Sequence, residues 1–271
     1  MRMMIRHDIT ILENNLVDNT PEFDPSCKYK VGDRVRLGDQ KMIYACLKDT
    51  PQGVKADLAN DFKQVGADNT IAAFDTGLNT YSSTQEPLEL KIQTSGALFM
   101  ANCLFGALCV RVYAPNIEEP VSVDTLAGPY EGTYLLGHAG ECVYHIAMQL
   151  FKDLPIRVGV IFCGDFVEVG ITLYRDSLSL EDFSKINVND EGLTQIELGL
   201  FRKTYKFSVL VGLQDLDRTL GVLAKNKSIP SVIELSDALA CLRFFGLIRG
   251  VDVSFNDAQR VNLDLELEEL T

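Results

Sequence analysis

The sequence predicts a mainly β protein: a small N-terminal β-meander, then a β-sandwich-like body with one short flanking helix. Three stretches carry that expectation. Between Pro87 and Tyr113, Leu88, Leu90 and Ile92 alternate with Glu89, Lys91 and Gln93, and a nearly continuous apolar run, Ala97 to Val110, follows the Ser95-Gly96 turn. Alternation is the period of a strand with one wet face, and a short unbroken apolar run fits a strand buried on both faces. From 121 to 174, further strand candidates alternate with glycine-containing turns, the spacing of a sandwich or barrel. Near the C-terminus, Val261, Leu263, Leu265 and Leu267 alternate with Asn262, Asp264, Glu266 and Glu268, the cleanest period-two stretch in the chain.

Taken in order, residues 1–26 read as an N-terminal arm. Asp8, Glu13, Asp18, Glu22 and Asp24 fall among residues 8–24 with no Lys or Arg, while Ile9, Ile11 and Leu12 allow a short strand. Such a segment is expected either to be loosely ordered or to pair with a neighbouring subunit. Residues 27–68 form the expected meander. Gly32-Asp33 and Gly38-Asp39 are turn signals flanking Arg34 to Leu37, and Met42 to Leu47 supplies the next strand. Thr50-Pro51-Gln52-Gly53 and Gly66-Ala67-Asp68-Asn69 mark a loop-rich joint.

The body is expected over 69–271, with possible halves at 69–190 and 191–271. Its strand candidates are Thr133 to Gly137, Glu141 to Met148, Arg157 to Cys163 and Phe166 to Leu173, with helix the alternative for part of 143–152. Lys206 to Val211 is a further strand. Asp215 to Lys225 places Leu216, Leu220 and Leu223 on one helical face, with Asp215 and Asp217 in the first turn and Lys225 at the end, complementing the helix dipole. Pro230 returns the chain to extended structure at Ile229. The acidic face of the last strand is expected to protect a sheet edge or to await a basic partner.

Composition narrows the function. A chain of 271 residues, 46% apolar and 23% charged, can bury a sizeable core. A net charge of −13 argues against a nucleic-acid surface, which needs clustered Lys and Arg. Asp8 and Glu13 interrupt any signal-like apolar stretch after Met1, and Ala97 to Val110 falls short of the ~20 residues of a membrane helix, so no membrane partner is expected. Seven cysteines without a C-x-x-C pair read as buried thiols.

Chemistry-bearing constellations are few. His138, Cys142 and His145 lack a fourth ligand at familiar spacing, and strand alternation sends Cys142 and His145 to opposite faces. Gly132 to Gly137 lacks the Lys-Ser/Thr of a phosphate loop. Glu266, Glu268 and Glu269 read as one strand face rather than an acid/base pair. No catalytic residue, metal or cofactor is expected.

Tyr29-x-x-Gly32-Asp33-x-Val35, then Gly38 and Ile43-Tyr44-x-Cys46, resembles the small modules of chitin-binding proteins and of the front of phage tail proteins. Phe62 to Asn69 and Phe74-Asp75 then resemble a family of tailed-bacteriophage virion proteins carrying W-x-x-x-G-x-x-N and then FD, with Phe62 in place of the Trp. The resemblance implies a non-enzymatic structural component of the neck, tail or baseplate, present as a multi-copy ring in a virion assembled in the host cytoplasm. Its partners would be other copies of the chain and neighbouring virion proteins. Subunit contacts are then expected at Asp8, Glu13, Asp18 and Glu22 in the arm and at Asp264, Glu266 and Glu268 in the last strand. The alternative is a carbohydrate-binding module that holds host-surface glycans through Tyr29, Tyr44 or Phe62, whose rings would stack on sugar or instead fill a mini-core.

Overall fold

The computed structural model describes residues 1–50, 56–75, 80–188, 194–197, 199, 201–236, 239, 242–255 and 257–270. The turn expected at Pro51-Gln52-Gly53 and the thiol of Cys241 lie outside them. The chain is mainly β, with a large antiparallel sheet, a separate three-stranded sheet and one substantial helix. It divides into two compact units, residues 8–162 and residues 1–7 with 163–271. The division falls at 162/163, inside a strand, rather than at the 190/191 position expected. The first strand, β1 (Arg2–Arg6), belongs with the C-terminal residues.

In the unit of residues 8–162, β2 (Thr10–Asn14) pairs with a strand of the body. The three-stranded sheet is β3 (Arg34–Leu37), β4 (Met42–Cys46) and β5 (Phe62–Ala67), antiparallel in the order 3-4-5. A one-turn helix, α1 (Leu58–Asp61), leads into β5, capped by the Asp57 carboxylate on the Ala59 amide. β6 (Ser82–Thr84), β7 (Leu88–Ser95), β8 (Ala97–Tyr113), β9 (Ser122–Leu136), β10 (Glu141–Gln149) and β11 (Ile156–Val158) complete the unit.

The alternation at 88–92 does what its period requires, for Leu88, Leu90 and Ile92 are fully buried. The neighbours differ from those expected of adjoining strands. β7 and β8 are joined by Gly96, at φ +81°, yet β10 lies between them and pairs with both. Residues 143–149 are therefore strand, not helix. β8 is long enough to serve different partners because it bends. Asn102 sits at φ +52°, and its pairing with β9 shifts register between Met100 and Cys103 and again between Phe105 and Ala107. Strands that turn corners of a sandwich do so at such bulges.

The other unit begins with β12 (Val160–Glu168) at its edge, followed by β13 (Ile171–Asp182), the short pair β14 (Lys185–Val188) and β15 (Thr194–Glu197), and β16 (Phe201–Gly212). Val169-Gly170 interrupts what the sequence reads as one strand from Phe166 to Leu173. After a 3-10 turn come α2 (Leu216–Lys225), β17 (Ser231–Glu234), β18 (Arg243–Phe255) and β19 (Arg260–Glu269). Strand order is 13-16-19-18-17-1-12. The leucines of β19 join Tyr205, Phe207 and Val209 of β16 and Phe244 and Ile248 of β18 in one core. Leu223 of α2 is buried in it, and Leu216 and Leu220 pack against it, so the helix lies over this face. Tyr205 and Phe244 stack at 4.2 Å between centroids.

Candidate functional site

The aromatic residues of the front sheet form a closed cluster. Phe62 meets Tyr29 edge-on at 5.2 Å and Phe23 edge-on at 5.4 Å, while Phe23 and Tyr29 stack at 5.9 Å. Tyr29 and Phe62 are buried with Val35 and Cys46. The Tyr29 hydroxyl accepts from the Asp24 amide and donates to the Asp24 carbonyl, and burial pushes the phenol above its usual range. Neither ring has a face for a sugar. Tyr44 is only half-buried, less than a core role demands, and its hydroxyl reaches Gln40 at 3.3 Å. Of the three residues that could have held a glycan, two are in the mini-core and Tyr44 packs against it from the side.

The acidic arm is fastened to its own chain. β2 pairs with β7, and Asp8 contributes its backbone carbonyl to Thr94. Glu13 reaches Lys91 at 3.1 Å on the surface. Asp18 accepts from the backbone amides of Asn69 and Thr20 at 2.6 and 2.7 Å. Burial works to raise that carboxyl, but the hydrogen bonds outweigh it and hold it below the usual range. Glu22 accepts from the Gly38 amide at 2.7 Å and from Arg36 at 3.2 Å. This corrects the picture of a loosely ordered arm: few of its residues are apolar, but its carboxylates and amides bind backbone groups that would otherwise be unpaired.

Asn69 is the knot of that arrangement. Its amide nitrogen donates to the carbonyls of Val17 and Ser83, its amide oxygen accepts from the Ser83 amide, and its backbone carbonyl accepts from the Ser82 hydroxyl. Asp75, two residues further along the same signature than Ala73, takes both carboxylate oxygens to the Thr80 hydroxyl. The residues that carry the family resemblance are thus fasteners of the fold.

The last strand is not an edge. β19 pairs with β16 on one side and β18 on the other. Its acids are spoken for: Asp264 by Ser208 at 2.7 Å, Glu266 by Lys206 at 3.6 Å, and Glu268 by Arg249 at 2.5 Å and Arg202 at 3.2 Å. Glu268 is buried, and the Arg249 guanidinium above all holds its carboxyl below the usual range. The basic partners expected from outside are supplied by neighbouring strands. Period-two alternation reports a half-buried face and is silent on how many strands flank it.

Cys142 and His145 point to opposite faces of β10, and the His138 ring meets Tyr144 edge-on at 6.3 Å. Cys142 is buried, and burial raises its thiol, whereas His145 lies on the other face with the Glu89 carboxylate at 4.0 Å. Among the described residues no group of three or more His, Cys, Asp or Glu side chains is placed to hold a metal.

What remains open is backbone edge and apolar surface. Among the described residues β13 pairs with β16 alone, and Ser177 to Phe183 are exposed throughout, Leu178 at 53% and Leu180 at 65%. Across the hairpin, Phe201 is also exposed. At the opposite side of the same strands, the described residues pair β17 with β18 only as far as Gly246, and Phe255 is 70% exposed with Val253 beside it. Sequence reasoning passed over Ser177-Leu178-Ser179-Leu180, although its alternation is the signal of a strand whose apolar side needs cover. Comparison with protein-family models, with curated proteins and with solved structures found no match.

Proposed function

We propose that the chain is a non-enzymatic structural component of a tailed-phage virion, of the neck, tail or baseplate, acting in several copies around a ring. The observation that carries this reading is the pair of open strand edges, each lined with exposed apolar side chains: Leu178 and Leu180 on β13, Val253 and Phe255 on β18. A long edge with uncovered leucines is a liability for a monomer and an asset for a subunit. The resemblance over Phe62 to Asn69 and Phe74-Asp75 supports the virion setting. The competing glycan-binding role has lost two of its three aromatic residues to the mini-core. The test is reconstruction of the particle that carries the protein. Several copies related by rotation about the particle axis are expected; a single isolated copy, or absence from purified particles, refutes the proposal.

A further inference from the structure

We infer that copies of this chain join head to tail, β13 of one against the outer half of β18 of the next, an inference that rests on the multi-copy reading above. The occupant of each edge is a second copy of the chain, and four features of β13, β16, β19 and β18 point to it.

Direction comes first. Each of the three contacts in this run is antiparallel, so β13 and β18 themselves point opposite ways. Placing one copy beside the next in the same orientation sets β13 antiparallel to the neighbouring β18 and extends the sheet without a break in its pattern.

The apolar rows come second. Leu178 stands opposite Tyr205, Tyr205 opposite Leu267, and Leu267 opposite Ile248; Val209 stands opposite Leu263, and Leu263 opposite Val253. Residues opposite one another share a face. Leu178, Leu180, Val253 and Phe255 therefore all lie on the face that holds the core and α2, at the two margins where the cover ends. Pairing the margins joins apolar side chains of one copy to those of the next.

Third, charge alternates across the other face. Glu181 of β13 stands opposite Arg202 of β16, Arg202 binds Glu268 of β19, and Glu268 binds Arg249 of β18. The row runs minus, plus, minus, plus from one margin to the other. A head-to-tail neighbour continues it, because the free carboxylate end of one row meets the guanidinium end of the next. In the register that sets Leu178 opposite Val253 and Leu180 opposite Val251, Glu181 falls at Gly250, beside Arg249. A two-fold contact of β13 with itself would instead gather the Glu181 and Asp182 carboxylates of both copies along one short seam.

Fourth, among the described residues the strand partners of β18 on that side stop at Gly246, which leaves the backbone of Leu247 to Phe255 open on its outer edge. This is a heterologous contact, so it repeats until it closes on itself as a ring or winds into a helix.

The same register places Ser179 of one copy opposite Asp252 of the next, both exposed. Within one chain they are three strand spacings apart, roughly 14 Å, and Ser179 lies level with Leu247 rather than Asp252, which separates them further along the strands, too far for a disulfide. The experiment is made in a Cys27→Ser parent, which removes the exposed thiol among the described cysteines and sets the baseline. Under mild copper-phenanthroline oxidation, the Ser179→Cys, Asp252→Cys double variant is expected to give a ladder of covalent multimers on non-reducing gels. Each single variant should stay at the parent baseline, and a mixture of the two should give dimers and nothing larger. Dimers from either single variant mean a two-fold contact and overturn the inference. No ladder from a double variant that sediments as an oligomer also overturns it, while leaving the multi-copy reading in place. No ladder from a protein that sediments as a monomer at every concentration, and occurs singly in the particle, removes both.

Discussion

Glu234 gives the sharpest test of how the unit of residues 1–7 and 163–271 is held together. It lies at the end of β17, which pairs with β1 on one side and β18 on the other. Its side chain is 1% exposed and is gripped by Arg2 from β1 and Arg243 from β18, the latter through Nε at 2.9 Å and also through Nη2. Replacing Glu234 by Gln keeps the shape but removes the charge that both guanidinium groups face. Breaking a fully buried ion pair costs about 3–5 kcal/mol. Here the arginine side chains retain 37% and 23% of their exposure and can recover water, so a cost of about 2–3 kcal/mol is expected. Urea unfolding reads it, followed by circular dichroism or tyrosine fluorescence because the chain has no Trp. The pH dependence has a definite sign. Burial alone would raise the Glu234 carboxyl, but the Arg2 and Arg243 hydrogen bonds outweigh it and leave the group below its usual range in the folded state. A carboxylate whose folded pKa is depressed contributes its full stability above the unfolded pKa, about 4.3, and loses that contribution as pH falls through the lower folded value. The gap between wild type and Glu234→Gln should therefore be widest near neutrality and shrink below about pH 4. A gap under about 0.5 kcal/mol at pH 7, or one that stays constant into acid, would refute the reasoning.

Three further outcomes follow from other parts of the chain. Phe62→Ala empties the centre of the Phe23–Tyr29–Phe62 cluster and should cost about 3–4 kcal/mol, measured as loss of protection of residues 29–46 in hydrogen exchange, while Tyr44→Ala, at a half-buried ring, should cost about half as much. Asn69→Ala removes the bonds to Val17 and Ser83 and should speed exchange of residues 15–20 at a cost of about 2–3 kcal/mol; unchanged exchange there would show that the Asn69 side chain does not hold the arm. Gly164→Ala drives a methyl group into the Ile5 carbonyl of the paired β1, so it should lower the melting temperature by several degrees and release the N-terminal strand to limited proteolysis, and a thermally silent substitution would contradict the close pairing.

Much of the architecture was legible because local periodicity carries it. The alternation at 88–92 and at 261–267 directly encodes buried faces, and the Leu216, Leu220, Leu223 spacing with its flanking charges encodes α2. Pairing partners were not legible. β10 lies between β7 and β8 because Glu141 to Gln149 return from far along the chain, and β1 joins β12 and β17 across most of the sequence length; no window of residues contains such information. The same limit misplaced the acids of β19. Asp264, Glu266 and Glu268 look unpartnered in a linear reading because Ser208, Lys206, Arg202 and Arg249 come from other strands. The exposed seam at Leu178 and Leu180 was readable in principle, as a serine–leucine alternation with no hydrophobic neighbour to cover it.

The signature residues repay a closer argument, since the resemblance rests on so few of them. In a sugar-binding module an aromatic ring is kept for its exposed face, but Phe62 is buried, edge-on to Tyr29 and Phe23, in a cluster with Val35 and Cys46. Gly66 lies in β5 beside Ile43, where a side chain would press on the Thr80 methyl at 3.0 Å, and Asn69, three residues on, bridges residues 17–18 to residues 82–83. Aromatic, glycine and asparagine at this spacing are thus what a three-stranded sheet needs to be nailed to a larger body: a plug, a close approach and a clip. A likeness built on such residues tracks how a module is attached rather than what it binds. For this chain, then, the surfaces that would distinguish a ring subunit from a glycan reader are the bare margins at Leu178–Leu180 and Val253–Phe255, which the signature does not touch.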